Sequence, residues 1–308
     1  RALTPAEPVH LLIPAAADRP KITAVLERAH VDVSRVVFHP IALDRGWMRD
    51  CSPAFVVKKS KSGNALAAVH FAFNAWAKYP NFKKDAKVPA YLARRLKCPI
   101  AKANHDRRHV VLEGGAVDTN GVGTLLTTEE CLLHPEIQIR NPGFTRADYE
   151  TAFAQHLGIR KVIWLGNGIA GDDTHGHVDD LCRFVNITTV VLCKEVNRRD
   201  ANYRPLAENK ERLQSARDAD GQKLDVVDLP MPAPLLFDGV RLPASYANFY
   251  IANDRVLVPT FNDPNDRIAL GILADLFPNR TVVGIHAVDI VWGLGTLHCL
   301  THEIPLFD

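Results

Sequence analysis

The sequence lacks three features that would assign a chain of this length to a class at once. No apolar run reaches the ~18 residues that indicate a membrane-spanning helix. Lys and Arg form no dense run and the formal net charge is only +2, so the composition gives no footprint of nucleic-acid binding. The six cysteines are scattered without a C-x-x-C pair, which argues against a structural zinc site. We therefore expect no membrane, nucleic-acid or metal partner.

What the chain does have is an ordinary globular balance. Of its 308 residues, 47% are hydrophobic and 23% are charged, which is enough apolar material for a sizeable core without disulfides. We expect a cytoplasmic protein, and the first residue, Arg1 rather than Met, leaves export open. The basic cluster at residues 58–61 is followed by glycine and asparagine, and it predicts a solvated hairpin turn.

Short strands and helices alternate along the chain. Apolar runs predict strands at Val9–Ile13, at residues 184–187 and, near the end, at residues 296–300. A helical pattern covers Val88–Leu96, and residues 145–158 predict a helix that opens with a capping box and closes at glycine. This alternation in short units favours an α/β class.

Polar residues follow predicted strands at nearly even intervals. The steps from Asp50 to Glu113, His177, Asn248 and Cys299 are 63, 64, 71 and 51 residues. These intervals are longer than those of the usual short solenoid and propeller repeats. They predict about five similar units of ββαβ type, each presenting a strand end to one shared centre. Chance spacing of a few chosen residues is the alternative.

Cys299 is the candidate nucleophile. It lies beside two histidines near the C-terminus, and acidic clusters upstream contain Asp50, Glu113 and Asp179 together with His177. A thiol, a histidine and several carboxylates suit covalent chemistry on a planar cation. The alternative is a buried structural thiol, which is what most free cysteines are.

Six segments in the same order resemble those of agmatine deiminases and the related Porphyromonas-type peptidyl-arginine deiminases. They are residues 47–57 (W-M-R-D-C-S-P-A-F-V-V), 73–76 (F-N-A-W), 113–133 (beginning E-G-G), 172–179 (D-D-T-H-G-H-V-D), 245–253 (S-Y-A-N-F-Y-I-A-N) and 297–301 (L-H-C-L-T). Three places depart from the family pattern. Residues 293–296 read G-L-G-T where the family usually has G-G-G-N, residues 51–52 read C-S in place of x-G, and residues 302–303 read H-E in place of a common Gln pair.

The resemblance implies a fold and a set of partners. The fold is the pentein fold, a five-fold pseudosymmetric α/β propeller with a central polar channel, which agrees with the spacing of the polar residues. We expect residues 1–308 to form a single catalytic domain, with the N-terminal segment of the family's first module missing. No cofactor is expected. The expected partner is a small guanidinium molecule or an arginyl peptide, and a homodimer is left open.

The resemblance, with the chemistry of a guanidinium, also implies residue roles. Cys299 would attack the guanidinium carbon as a thiolate, because the thiol is a poor nucleophile. His177 would act as general acid and base, and Glu113 would hold its ring in orientation. Asp50 and Asp179 would grip the planar cation, whose donors match carboxylates bidentately.

Two further residues carry implied substrate contacts. Trp47 is expected either in the core or as a wall of the substrate channel. Asn248 is expected to fix the backbone or to contact the substrate. Two assigned residues have structural alternatives, since Asp50 could pair with Arg49 and Glu113 could cap a turn.

Four functions stay open at this point. Agmatine deiminase is the leading one, hydrolysing agmatine to N-carbamoylputrescine and ammonia, with deiminases of free or peptidyl arginine behind it. A non-catalytic guanidine-binding protein on the same scaffold comes next. The last is a metal hydrolase, because residues 175–180 (H-G-H-V-D-D) superficially resemble the H-x-H-x-D-H ligand run of metallo-β-lactamase-like enzymes. The final ligand position is Asp180 rather than His, and we expect His175 to be structural.

Overall fold

The computed structural model describes residues 1–58 and 63–306. Five small sheets follow one another along the chain, and two two-stranded hairpins join them. Four of the five sheets share one order, in which an antiparallel pair is followed by a parallel pair. Each parallel pair is connected through a helix, because strands running in the same direction need a crossover.

The five units occupy successive stretches of sequence. The first contains β1 (Val9–Ile13), α1 (Arg19–Arg28) and β2 (Val36–Pro40). The second contains α2 (Met48–Cys51), β3 (Ala54–Lys58), β4 (Ala65–His70), α3 (Val88–Leu96), β5 (Ile100–Lys102) and the hairpin of β6 (Asn104–His105) and β7 (Arg108–His109). The third contains β8 (Asp118–Thr119), β9 (Thr124–Thr128), α4 (Glu129–Leu133), α5 (Arg146–Leu157) and β10 (Lys161–Leu165).

The remaining two units complete the described chain. The fourth contains β11 (Cys182–Phe184), β12 (Thr189–Lys194), α6 (Tyr203–Ser215), β13 (Asp225–Pro230) and the hairpin of β14 (Leu236–Phe237) and β15 (Val240–Arg241). The fifth contains β16 (Tyr250–Ile251), β17 (Arg255–Thr260), α7 (Asn265–Leu276), β18 (Thr281–His286) and the single-turn helix α8 (Leu297–Leu300). The α/β class is therefore confirmed, and four of the five units have the predicted ββαβ pattern, whereas the first has only its parallel pair within the described residues.

The central strands explain the apolar runs of the sequence. Every residue of β9 is buried, and so are five of the six residues of β12. Strands covered on both faces need apolar or hydrogen-bonded side chains throughout rather than alternation. The helices cover the outer faces, and α5 begins with the predicted capping box between Thr145 and Asp148. It ends at Gly158 in the left-handed conformation, with φ +70°.

Two predicted strands are wrong. Residues 184–187 do not continue as a strand beyond Phe184, because the Asn186 side chain accepts the backbone N–H groups of Thr188 and Thr189 and forms a turn. Residues 296–300 form α8 rather than a strand. The basic hairpin turn predicted at residues 58–61 lies outside the described residues except for Lys58, although β3 and β4 on either side of it pair antiparallel.

Three other expectations concern what the chain contains. The first unit has only its parallel pair within the described residues. The single catalytic domain and the missing N-terminal segment of the first module both stay predictions. None of the described helices combines the length and apolarity needed to cross a bilayer.

The fold brings the spaced polar residues together. The sequence predicted these residues at the ends of strands, but they lie before the starts of strands instead. Asp50, Glu113, His177 and Asn248 are each two to five residues ahead of the antiparallel strand that opens a unit, namely β3, β8, β11 and β16. Cys299 lies in α8, at the end of the fifth unit. Equivalent positions in pseudosymmetric units face one point, so the intervals in the sequence become contacts in space.

Candidate active site

Asp50 is held in the buried helix α2. Its Oδ1 accepts the backbone N–H of Gly115 at 3.0 Å, and its Oδ2 accepts the indole N–H of Trp76 at 2.9 Å. The pairing of Asp50 with Arg49 that the sequence left open is not formed. Arg49 instead donates to both carboxylate oxygens of Glu303, at 3.1 and 2.6 Å.

Arg49 also connects two parts of the site. Its Nε donates to the carbonyl of His298 at 3.3 Å, directly ahead of Cys299 in α8. The guanidinium is buried, whereas the Glu303 side chain is 55% exposed. Helix α2, which carries Asp50, is therefore joined to the C-terminal turn that carries Cys299.

Glu113 lies between a histidine and an arginine. Its carboxylate accepts Arg140 Nε at 3.3 and 3.2 Å, and its Oε2 lies 3.5 Å from His177 Nε2. Both side chains of the Glu113–Arg140 pair are fully buried. Arg140 Nη1 also donates to the carbonyl of Gln138 at 2.9 Å. Glu113 makes no side-chain cap to the turn that follows it, so its structural alternative is not the arrangement found.

The loop before His177 presents its ring to these carboxylates. Asp172 Oδ2 accepts the N–H groups of Gly176 and His177, at 2.8 and 2.9 Å. Gly176 has φ +95°, a conformation that glycine adopts at little cost. His177 Nδ1 then lies 3.9 Å from Asp50 Oδ1 and 4.0 Å from Asp179 Oδ1.

Gly115 is glycine because three catalytic candidates converge on it. A Cβ there would lie 2.5 Å from His177 Nδ1, 3.0 Å from Asp50 Oδ1 and 3.1 Å from Asp179 Oδ1. At Gly114 a Cβ would lie 2.2 Å from the carbonyl oxygen of Arg49. The two glycines thus allow this turn to pack against α2 and to reach Asp50 with a backbone N–H.

Asp179 spans the distance between the histidine and the cysteine. Its Oδ2 lies 2.6 Å from His298 Nδ1 and 3.7 Å from Cys299 Sγ. Its Oδ1, the atom that faces His177, has no hydrogen-bond partner among the described residues. Buried polar atoms are nearly always paired, so a buried orphan oxygen indicates a place for a ligand donor.

Asn248 fixes the turn of the nucleophile. Its Oδ1 accepts the hydroxyl of Thr296 at 2.7 Å and the backbone N–H groups of His298 and Cys299, at 3.0 and 3.3 Å. Its Nδ2 donates to Cys299 Sγ at 3.0 Å and to Asp180 Oδ1 at 2.9 Å. These bonds explain why residues 296–300 curl into a turn, since one side chain takes the N–H groups that a strand would give to a neighbour.

Burial opposes ionisation of most of the carboxyl groups in the site and so raises their pKa values. Burial raises the pKa of Asp50, and it raises that of Asp179 to about 7. Burial together with the Asp179 charge raises the pKa of Asp180 well above its usual value. Glu113 differs, because Arg140 and His177 outweigh the effect of burial and hold its pKa below the ordinary value. The site therefore contains more carboxyl groups than the positively charged side chains around it neutralise.

The same negative field favours the protonated form of both the histidine and the thiol. Burial and the nearby Asp179, Asp180 and Asp50 raise the pKa of Cys299 well above the usual range, so these groups favour the thiol over the thiolate. Burial alone would lower the pKa of His177, but Asp50 and its other neighbours outweigh burial and raise it well above the ordinary value. His177 is thus an imidazolium that can give a proton.

A cavity of 210 Å³ opens onto these groups. Its buried members are Asp50, Trp76 and Cys299, and the more exposed ones form its opening. The lining consists of Arg45, Trp47, Asp50, Trp76, Tyr79, Asp173, Thr174, Gly293, Leu294 and Cys299. The sequence predicted Trp47 either in the core or as a wall of the substrate channel. In the structure it is half-buried and lines this cavity.

The metal-ligand interpretation of residues 175–180 finds no single cluster in the described part of the chain. His177 groups with Glu113 and Cys131, whereas Asp179 groups with Asp180 and Cys299. His175 lies apart, 3.5 Å from Glu130 through its Nδ1. The H-x-H-x-D-D run therefore divides between different neighbours instead of surrounding one ion.

Some site residues had weak signals in the sequence. Trp76 lies in the quoted F-N-A-W segment, but its hydrogen bond to Asp50 was not predicted. Asp180 and His298 adjoin assigned residues without being assigned themselves. Arg140 had no signal at all, since its partners Glu113 and Thr174 lie 27 and 34 positions away and its near partner, Gln138, is bound only through the backbone carbonyl.

Three comparisons agree with this fold. A model of the Porphyromonas-type peptidyl-arginine deiminase family matches residues 1–305. The agmatine deiminase of Pseudomonas fluorescens is 33% identical over 301 residues, which cover 90% of this chain and 79% of that protein. The structure of a cysteine-to-serine agmatine deiminase from C. jejuni with substrate bound has a TM-score of 0.84 at 31% identity, covering 97% of this chain and 82% of that one. An agmatine deiminase structure from Enterococcus faecalis gives 0.85 at 28% identity, covering 97% and 83%. The chain belongs to the Porphyromonas-type peptidyl-arginine deiminase family.

Proposed function

We propose that the protein is an agmatine deiminase, which hydrolyses agmatine to N-carbamoylputrescine and ammonia through a covalent bond to Cys299. The observation that carries this proposal is the position of Asp179. Its unpartnered Oδ1 lies beside His177 while its Oδ2 lies 3.7 Å from Cys299 Sγ. A planar cation held there would place its central carbon next to the thiol.

Asp50 and Asp179 form the grip. A guanidinium presents its N–H groups in a rigid fork that carboxylates accept bidentately. The two oxygens of Asp50 already accept one bond each, from Trp76 and Gly115, and each oxygen can accept another. These bonds hold the carboxylate in place before the substrate arrives, which reduces the ordering cost of binding.

The arriving cation also changes the protonation of the site. Its positive charge stabilises ionised Asp50 and Asp179, and it opposes the field that keeps Cys299 as a thiol. Thiolate therefore forms mainly once the substrate is bound. This order keeps the nucleophile unreactive in the empty enzyme.

In the first half of the reaction, the sulfur of Cys299 forms a bond to the guanidinium carbon. His177 gives its proton to the departing nitrogen, the C–N bond breaks and ammonia leaves. The remaining species is a thiouronium bound to the enzyme. Glu113, fixed by Arg140, keeps the ring of His177 directed at this nitrogen.

In the second half, the now neutral His177 takes a proton from water. The resulting hydroxide adds to the thiouronium carbon, the C–S bond breaks, the hydroxyl proton passes to the departing sulfur and the ureido product leaves. The sulfur of Cys299 is thereby restored. One water is consumed and one ammonia is released, so the cycle needs no external cofactor.

A deiminase acting on free or peptidyl arginine is the second candidate. Arg45 favours it, because this cation lines the cavity and could meet a substrate carboxylate. Its guanidinium is already engaged, since Nη1 and Nη2 donate to the carbonyl and side-chain oxygens of Asn81 at 2.5 and 2.8 Å. It also lies 4.5 Å from the centre of the Tyr79 ring. These contacts, and the names of the relatives, favour agmatine.

The setting follows from the chemistry. None of the six cysteines, all within the described residues, forms a disulfide. A thiol nucleophile must stay reduced, so we place the enzyme in the cytoplasm. We further propose that residues 1–308 act as one catalytic domain, because the site draws residues from four of the five units.

A substrate panel tests the function. Ammonia and ureido product are measured for agmatine, arginine and arginyl peptides, and agmatine is expected to give the highest kcat/KM with one ammonia per ureido group. Binding of agmatine without turnover would favour the non-catalytic guanidine-binding protein. Activity that follows stoichiometric zinc content, and disappears with chelation, would favour the metal hydrolase.

A further inference from the structure

Leu294 has a backbone conformation that leucine rarely adopts. It follows the single turn Val291–Gly293 with φ +71° and ψ 34°. A side chain with a Cβ is strained in this left-handed region, where glycine is the usual residue. Strain of this kind clusters at functional sites, and it therefore indicates a role for the Leu294 side chain.

The side chain lies at the substrate cavity. Leu294 lines the cavity that contains Asp50 and Cys299, and it is half-buried where those two are buried. Its neighbours Gly293 and Gly295 pack beneath the Trp47 ring, where a Cβ would lie 3.0 and 2.8 Å from ring carbons. Leu294 packs partly against the large hydrophobic core, and it is the residue of this G-L-G turn that adds an apolar group to the cavity lining.

We propose that Leu294 determines specificity by favouring guanidines on an unbranched alkyl chain. This inference rests on the proposed function. Agmatine and arginine share the guanidine and three methylene groups, and they differ at the next carbon, where arginine carries a carboxylate. An isobutyl group at the opening favours contact with methylene groups. It would also strip water from a carboxylate without offering a hydrogen bond in return.

Leu294→Gly tests the proposal by removing the side chain together with the backbone strain. The readout is the ratio of kcat/KM for agmatine to kcat/KM for arginine, with an arginyl peptide as a third substrate. We expect this ratio to fall about tenfold or more, mainly through faster use of arginine, since a small change in pocket shape discriminates on that scale. Leu294→Met, which keeps an apolar side chain of similar size, should retain the wild-type ratio.

A matched control removes the same strain elsewhere. Lys97 ends α3 with φ +54° and does not line the cavity, so Lys97→Gly should leave the ratio unchanged. Leu294→Ala serves if Leu294→Gly does not fold. An equal loss with both substrates would mean that Leu294 only supports the turn, and would overturn the inference. If the wild type uses agmatine and Leu294→Gly has the same agmatine-to-arginine ratio, the role of Leu294 is overturned while the proposed function stands. A wild type that uses neither guanidine overturns the proposed function as well.

Discussion

The titration of Asp179 gives the account a quantitative prediction about substrate binding. Burial raises its pKa to about 7, and the ionised carboxylate binds a guanidinium far more tightly than the neutral acid, which carries no charge to pair with it. Because the pKa is raised, the binding form is lost as the pH falls through 7. The ionised fraction is about nine tenths at pH 8 and about one tenth at pH 6. Agmatine affinity should therefore fall about tenfold, or ~1.4 kcal/mol, over this range.

Calorimetry on Cys299→Ser measures this effect without turnover. At pH 6 the binding of agmatine should release close to one proton, which is detected by repeating the titration in buffers of different ionisation enthalpy. At pH 8 the release should nearly vanish. The control is Asp179→Asn in the same background, which should bind weakly and with little dependence on pH. An affinity that is flat from pH 6 to 8, with no proton released, would refute the assigned grip.

Three other predictions test separate parts of the site. Gly115→Ala should lower kcat/KM at least ~100-fold, because the added Cβ displaces the imidazole of His177. The control is Gly46→Ala, where a Cβ meets nothing within 4 Å and kcat/KM should not change. Equal kcat/KM values for the two variants would contradict the convergence on Gly115. Glu303→Ala leaves the buried guanidinium of Arg49 without its carboxylate, and it should lower the free energy of unfolding by about 2 kcal/mol in urea titrations. Arg49→Met leaves only an exposed carboxylate unpaired and should cost less. The reverse order would refute the pairing. A haloacetamidine, being cationic, should label Cys299 at least tenfold faster than iodoacetamide at neutral pH, and a neutral reagent that reacts equally fast would show that the acids do not select cations.

Local signals predicted much of the fold. The helix at Val88–Leu96 and the strand at Val9–Ile13 have the predicted bounds, because their apolar patterns are decided by near neighbours. The capping box of α5 is likewise decided within four residues. No strand was predicted at β17, in which Pro259 interrupts the apolar run although it pairs in register with Ile285.

Distant partners account for what the sequence could not predict. The backbone at Cys299 is turned by Asn248, about fifty positions away in the chain, so an apolar run that favours a strand becomes a helical turn. Arg140 shares no local pattern with Glu113, and their pairing exists only once two loops meet. The residue types of the site could be assigned by resemblance. The protonation of Asp179 and Cys299 depends on burial, which only the folded chain reveals.

Mass spectrometry of the enzyme during turnover tests the central claim most directly. Wild-type protein is mixed with agmatine, quenched in acid within the first turnovers and digested to locate any adduct. We predict an added mass on Cys299 equal to agmatine less one ammonia, because the thiouronium forms as the amine departs. Cys299→Ser should carry no adduct and produce no ureido product. Turnover by Cys299→Ser at a rate near that of the wild type, or an adduct on another residue, would contradict the account.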